Sequence, residues 1–213
     1  MKIDEYQKRS NFRCRHYHTG LSHPQCFDKD NAISEKIGYL DIECSGLQAD
    51  FGIVLSFSLR DGAGRNYSSH ITPEEIKNGT YDKRLLSELC HYMRMFDRVV
   101  TWYGDRFDIP FLRTRCLLHG IDFPVHLEVL HTDLWMFSRK KLKMHSNRLG
   151  VVAPFFGIES KGHPLNPTVW LQCLSGSEKA LRWVQTHNNE DTESLRKVWH
   201  RVQRYVKLTK QSV

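Results

Sequence analysis

No run of apolar residues in this 213-residue chain approaches the roughly 18 needed to cross a membrane. The first ten residues are polar and have no apolar centre of the kind a secretory signal carries. Both absences lead to the expectation of an intracellular, cytoplasmic protein without a membrane partner. Acidic residues are outnumbered: 24 Asp and Glu face 31 Lys and Arg, for a formal charge of +7 and a pI of about 9.1. That imbalance favours an anionic partner such as nucleic acid, as a matter of steering and not of fold. Paired CxxC spacing is missing among the six cysteines. In a reducing compartment they are expected as thiols, with the scattered Cys44, Cys90, Cys116 and Cys173 as small buried residues.

What is present is an ordinary globular composition, 40% hydrophobic and 26% charged. At this length it suits one domain with a small appendage and a sizeable core. The chain is expected to divide into a Cys/His-rich N-terminal arm (residues 1–36), a folded α/β domain (37–206) and a flexible polar tail (207–213).

The arm holds Cys14, His16, His18, His23 and Cys26 within thirteen positions. These are the ligand types zinc prefers, and a structural site needs four in a closed tetrahedron. Both cysteines and two of the three histidines supply a candidate zinc site. The competing reading is a disordered basic arm with solvated histidines. A segment this short and polar has little to bury, so order here would need a metal or a docking surface.

Period-two alternation reads residues 37–43 as a first strand and residues 52–59 as a second, with Ile53, Leu55, Phe57 and Leu59 on one face. The turn signal at residues 61–64 returns the chain as a third strand over 65–71. Leu85, Leu86, Leu89, Met93 and Phe96 recur at helical spacing, which predicts a helix over 82–96. Residues 98–103 read as a buried strand running into Gly104, followed by a helix over 108–119 ended by Gly120. A short strand at 131–133 leads into another helix capped by Asp133. Residues 146–156 form a short helix, residues 157–175 a mobile covering loop anchored by Trp170 and Leu171, and a last helix runs from 177 past 205. Strands followed by helices behind a leading hairpin predict a mixed sheet flanked by helices.

On the first strand Tyr39, Asp41 and Glu43 share a face. Two like charges on one strand repel, and a divalent cation removes the conflict. The competing reading is a solvent-facing pair on an edge strand. Asp108 stands where a helix N-cap belongs. On the last helix His187 and Asp191 are spaced i, i+4, and Leu195, Val198 and Val202 continue the same stripe. A carboxylate on a buried stripe needs a partner or a metal. The basic cluster Arg139-Lys140-Lys141-Leu142-Lys143, with His145 and Arg148 nearby, is either a solvated helix face or a phosphate contact.

Asp41-Ile42-Glu43 with its Ser45-Gly46-Leu47 turn, then Phe107-Asp108-Ile109-Pro110-Phe111-Leu112, then His187 four residues before Asp191, resembles the DEDD superfamily of 3′–5′ exonucleases. The likeness covers about residues 37–205 and is closest to the branch whose second motif reads FDxPFL and whose last reads YNxxD. His187 stands where that branch has Tyr, and Tyr103 where it often has Asn. The resemblance implies an RNase H-like fold and phosphodiester hydrolysis at a 3′ end by two Mg²⁺ or Mn²⁺ ions. In it Asp41 bridges the ions, Glu43 and Asp191 complete the site of one, Asp108 serves the other, and His187 orients or deprotonates the attacking water. Leu47 and the Ser45–Gly46 backbone would meet the terminal nucleotide, with Trp102, Tyr103 and Lys161 as stacking and phosphate contacts. Single-stranded or frayed DNA is the expected substrate and RNA the alternative. From a different class, the chain is a catalytically weak RNase H-like binding module that docks through its arm.

Overall fold

Helix α1 (Ile3–Asn11) and helix α2 (Pro24–Asp30) flank a chain reversal in which Arg13 bridges Thr19 in antiparallel fashion. The computed structural model describes residues 3–30, 35–159 and 165–213, and these helices belong to the smaller of its two units, Met1–Glu35 and Lys36–Val213. Phe27 and Cys14 are the buried apolar side chains of the small unit among the described residues. Phe12 meets the Phe27 ring edge-on at 5.2 Å, and Arg9 lies over the same ring at 4.7 Å while pairing with Asp28 at 2.8 Å. Gly20 has no room for a side chain, since a Cβ would lie 2.8 Å from Phe27 and 2.9 Å from the Arg9 carbonyl oxygen. The reading of this stretch as a disordered arm is therefore corrected: it carries two helices and a packed centre.

In the larger unit five strands, β1 (Ile37–Cys44), β2 (Val54–Asp61), β3 (Asn66–His70), β4 (Arg98–Thr101) and β5 (Leu130–Asp133), form one sheet in the order β3-β2-β1-β4-β5. β1 is antiparallel to β2 and β2 to β3, whereas β4 runs parallel to both β1 and β5. Helices α3 (Pro73–Lys77), α4 (Lys83–Met93), α5 (Asp108–His119), α6 (Leu134–Lys141), α7 (Leu149–Phe155), α8 (Pro167–Leu174) and α9 (Glu178–Val202) complete the unit. This is the mixed α/β sheet flanked by helices expected for an RNase H-like fold. Among the described residues no helix is long and apolar enough to cross a membrane.

The side-chain alternation of β1 separates two packing clusters. Leu40 and Ile42 join Leu55, Phe57 and Leu59 of β2 with Leu89 and Met93 of α4 and Phe111 and Leu112 of α5. Tyr39 joins Val100 of β4, Val152 of α7, and Leu195, Val198 and Trp199 of α9. Each fully buried side chain of this kind contributes about 1.5–3 kcal/mol relative to exposure. Asp41 and Glu43 share the Tyr39 face and so look toward α9. Ser56 and Ser58 of β2 are also buried there, and the Ser58 hydroxyl bonds Thr192 of α9 at 2.7 Å. Their small side chains let the helix approach the sheet.

Several local expectations need correction. The loop expected over 157–175 contains α8, because Asn166 caps it by accepting from the Val169 N–H and Pro167 occupies the first turn, where proline starts a helix rather than breaking one. β4 ends at Thr101 and not at residue 103, and α9 ends at Val202, continuing as a single 3-10 turn at Gln203–Tyr205. Helix α3 was not anticipated; Thr72 and Glu75 close it with a reciprocal capping box. The tail expected to fray is tied down by backbone bonds from the His131 N–H to Gln211 O at 2.8 Å and from the Val213 N–H to Val129 O at 3.1 Å.

Candidate functional site

β1 outruns its parallel neighbour. Pairing with β4 ends at Tyr39 opposite Val100, while pairing with β2 continues to Cys44. The Ile42 N–H thus has no strand partner, and the Asp108 carboxylate accepts it at 3.2 Å. Asp108 is not the N-cap the sequence suggests. It is the first residue of α5, Phe107 holds the cap position, and the Asp108 side chain turns back to β1. Burial pushes the Asp108 carboxyl up to about 7; Asp133 and Asp191 add to the rise, and the N–H groups of Asp108 and Ile42 oppose it.

The turn that delivers Asp108 is held from β5. The Asp133 carboxylate accepts the Trp135 N–H at 2.9 Å, capping α6 as expected, and also the Tyr103 and Asp105 N–H groups at 2.9 and 3.3 Å. Tyr103 sits at φ +72°, a left-handed conformation uncommon for a bulky residue. One side chain therefore both starts a helix and fixes a strained turn.

From above, α9 presents its buried stripe to the end of β1. His187 Nε2 lies 3.6 Å from Glu43 Oε1 and 3.6 Å from Asp191 Oδ2. Glu43, His187 and Asp191 each offer a ligand atom within 4.8 Å of the others. Asn188 donates to Asp41 at 2.5 Å. Like charges gathered this closely at a half-buried strand end conflict unless a cation joins them. Carboxylate oxygens are hard donors of the kind Mg²⁺ and Mn²⁺ take, so the residues present fit a divalent metal.

The other residues singled out in the sequence are spread over several elements. Ser45 closes the loop after β1, its hydroxyl accepting the Ile53 N–H at 3.0 Å, so Gly46 and Leu47 project beyond a fixed base. Leu47 is 81% exposed. It lines a cavity of about 360 Å³ with Gln48, Arg106, Phe107 and Phe111. Tyr103 is partly exposed and meets Trp135 edge-on at 4.8 Å. Trp102 is partly buried against the cluster of Tyr39 and Val100, and its indole donates to Asn147 O at 3.0 Å. Lys161 lies outside the described residues. Arg139, Lys140 and Lys141 occupy the exposed last turn of α6, where cations suit the helix dipole.

Asn188 and Arg106 were not anticipated. Asn188 had a signal: it lies three residues before Asp191 on the same buried stripe, where an amide needs partners as much as a carboxylate does. Arg106 had none, since a cation in a polar turn has no periodicity to betray it.

A family model described as the RNase H superfamily matches residues 38–203 of the chain. A DNA polymerase of Methanocaldococcus jannaschii is 30% identical over 111 residues, which cover 43% of this chain and 7% of the polymerase. Among solved structures, the family B DNA polymerase from the hyperthermophilic archaeon Pyrobaculum calidifontis is similar with a TM-score of 0.67 at 15% identity, over 80% of this chain and 25% of that one. At that identity the likeness is one of fold. The chain spans a quarter or less of the length of both relatives.

Proposed function

The chain belongs to the RNase H superfamily, and on that premise we propose that it is a metal-dependent 3′–5′ exonuclease acting on single-stranded or frayed DNA. The observation that carries the reading is the convergence of Glu43, His187 and Asp191 within 4.8 Å at the strand end where Asp41 and Asp108 are also anchored. An acidic cluster of this kind in a chain of formal charge +7 serves a metal better than it serves an anionic ligand. DNA is favoured over RNA because the 30%-identical relative is a DNA polymerase.

In this reading Asp41 would contribute to holding both of two ions, Glu43 and Asp191 would help hold one of them, and Asp108 would serve the other. Two Mg²⁺ or Mn²⁺ ions, when bound, supply Lewis acidity to the phosphate and acidify the attacking water. His187, 3.6 Å from both the Glu43 and Asp191 carboxylates, accepts or orients the proton of that water. Leu47 and the Ser45–Gly46 backbone meet the terminal nucleotide in the cavity beside Phe107 and Phe111, and Arg106 on its wall is placed for a phosphate. Tyr103 and Trp102 are the outer contacts for base stacking, and Lys161, outside the described residues, is the phosphate contact suggested by the resemblance alone.

The test is incubation of end-labelled single-stranded DNA and RNA with Mg²⁺ or Mn²⁺, comparing wild type with Asp41→Ala and His187→Ala. The expected result is stepwise shortening from the 3′ end, abolished in Asp41→Ala and slowed about 10²–10⁴-fold in His187→Ala, the usual worth of a proton-transferring group. Degradation that survives Asp41→Ala overturns the assignment. Shortening of RNA alone transfers the reading to an exoribonuclease.

A further inference from the structure

The small unit Met1–Glu35 gathers a second set of metal-binding side chains that the hydrolytic reading does not use. The chain reverses tightly between Cys14 and His18: the Cys14 N–H donates to His18 O at 3.0 Å and the Tyr17 N–H to Cys14 O at 2.8 Å, with Tyr17 at φ +62°. That reversal brings Cys14, His16 and His18 together, with Cys14 buried and the two histidines exposed. His23 stands directly before α2, and Cys26 lies in the first turn of that helix, its N–H donating to His23 O at 3.2 Å. Two separate pieces of backbone thus supply ligand atoms to one point.

Cys14 Sγ lies 3.6 Å from His23 Nδ1 and 3.8 Å from His16 Nδ1, and Cys26 Sγ lies 3.8 Å from His16 Nδ1. With Zn–S near 2.3 Å and Zn–N near 2.0–2.1 Å, the sulfur-to-nitrogen edge of a tetrahedron is about 3.6 Å. One ligand atom from each of Cys14, His16, His18 and His23 falls within 4.8 Å of all the others. A thiol has one proton to share, so hydrogen bonding alone gives no reason for four such groups to converge. The unit also has little else to hold it: below about 40 residues a fold usually relies on disulfides, a metal or a partner, and none of its cysteines is disulfide-bonded.

We propose that the N-terminal unit is a structural zinc module in which Cys14, His16 and His23 bind the ion and His18 or Cys26 closes the tetrahedron. The sulfur and imidazole donors select Zn²⁺, with Co²⁺ or Cd²⁺ as surrogates, and discriminate against the Mg²⁺ or Mn²⁺ suited to carboxylates. The chain thereby carries two metal centres of different chemistry, one that shapes a small unit and one in the larger unit.

Metal analysis of the purified full-length protein tests this, with about one equivalent of zinc expected per chain. The Cys14→Ser/His23→Ala double variant is expected to fall below about a tenth of an equivalent, whereas Asp41→Ala keeps its zinc. Because the double variant alters the module itself, chelator-stripped wild type is also titrated with Co²⁺, read by the thiolate-to-cobalt charge-transfer band and the visible bands of tetrahedral cobalt. Loss of those bands in either His18→Ala or Cys26→Ser identifies the fourth ligand, and their persistence in both overturns the closed site. Zinc-free protein that develops no cobalt bands, or zinc retained by the double variant, overturns the proposal as a whole.

Discussion

Asn188 of α9 donates from Nδ2 to Asp41 Oδ2 of β1 at 2.5 Å, and its Oδ1 accepts the Ser56 hydroxyl of β2 at 3.3 Å. The amide is fully buried, so helix and sheet together aim the Asp41 carboxylate. Removing a hydrogen bond that orients a metal ligand typically costs about 10–100-fold in activity or metal affinity. Asn188→Ala is therefore expected to slow hydrolysis by that factor and to raise the Mg²⁺ or Mn²⁺ concentration at half-maximal rate. Metal titration of the rate checks this. A slower variant with unchanged metal dependence would restrict Asn188 to packing.

Asp108 ties pH to stability in the metal-free protein. Burial holds its carboxyl up at about 7, above the value near 4 of an unfolded chain. A carboxyl raised on folding contributes fully below the unfolded value, and its contribution is lost as pH rises through the folded one. Metal-free protein is thus expected to melt lower at about pH 8 than at about pH 5.5, with Asp108→Asn removing much of the difference. Mg²⁺ should restore wild type most at the higher pH. Melting curves with chelator and with Mg²⁺ decide it, and an identical pH response in wild type and Asp108→Asn would sink the argument.

Asp82 works in the opposite direction. Its carboxylate is fully buried and accepts from Arg115 at 2.7 and 2.9 Å, from His119 at 2.9 Å and from the Val54 N–H at 2.9 Å. Burial alone would raise the carboxyl, but the bonds from Arg115, Val54 and His119 outweigh it and hold it below the usual carboxylate range. Its contribution is present above the unfolded value and is lost as pH falls through the folded one, which places the loss below about pH 4. Asp82→Ala leaves the Arg115 charge buried and uncompensated, at a cost of about 3–5 kcal/mol in urea unfolding. Asp82→Leu combined with Arg115→Met should recover most of that. A double variant no more stable than Asp82→Ala would refute the ion-pair account.

What could be read ahead of the structure follows from which interactions are local. Period-two alternation placed Asp41 and Glu43 on one face, and the i, i+4 stripe placed His187 and Asp191 toward the core, because both patterns are set by backbone geometry within a few residues. Asp82 read only as the start of a helix, since nothing near it announces Arg115 across α5. Pro167 read as a loop signal although one residue of context, Asn166, makes it the start of α8. The tail read as frayed because its anchors, Val129 and His131, lie about eighty residues upstream in sequence. Asn188 carries no charge to single it out, yet on a buried stripe a neutral amide demands partners as well.

The turn between β4 and α5 makes the sharpest demand on residue type. At Gly104 a Cβ would lie 2.5 Å from Thr101 Cβ and closer still to its Oγ1. Thr101 is not at liberty to move, because Oγ1 is bonded to His131 Nε2 at 2.8 Å and His131 Nδ1 is paired with Asp105 at 3.0 Å. Gly104→Ala must therefore shift the turn that leads into Asp108. A destabilisation of about 1–3 kcal/mol is expected for a strained core substitution. Activity should fall as well, by about 10²-fold for a displacement near 1 Å, when assayed at a temperature where the variant is fully folded. Adding Thr101→Gly removes the clashing atoms and should restore part of both. Activity unaffected by Gly104→Ala would mean that the position of Asp108 does not depend on this turn.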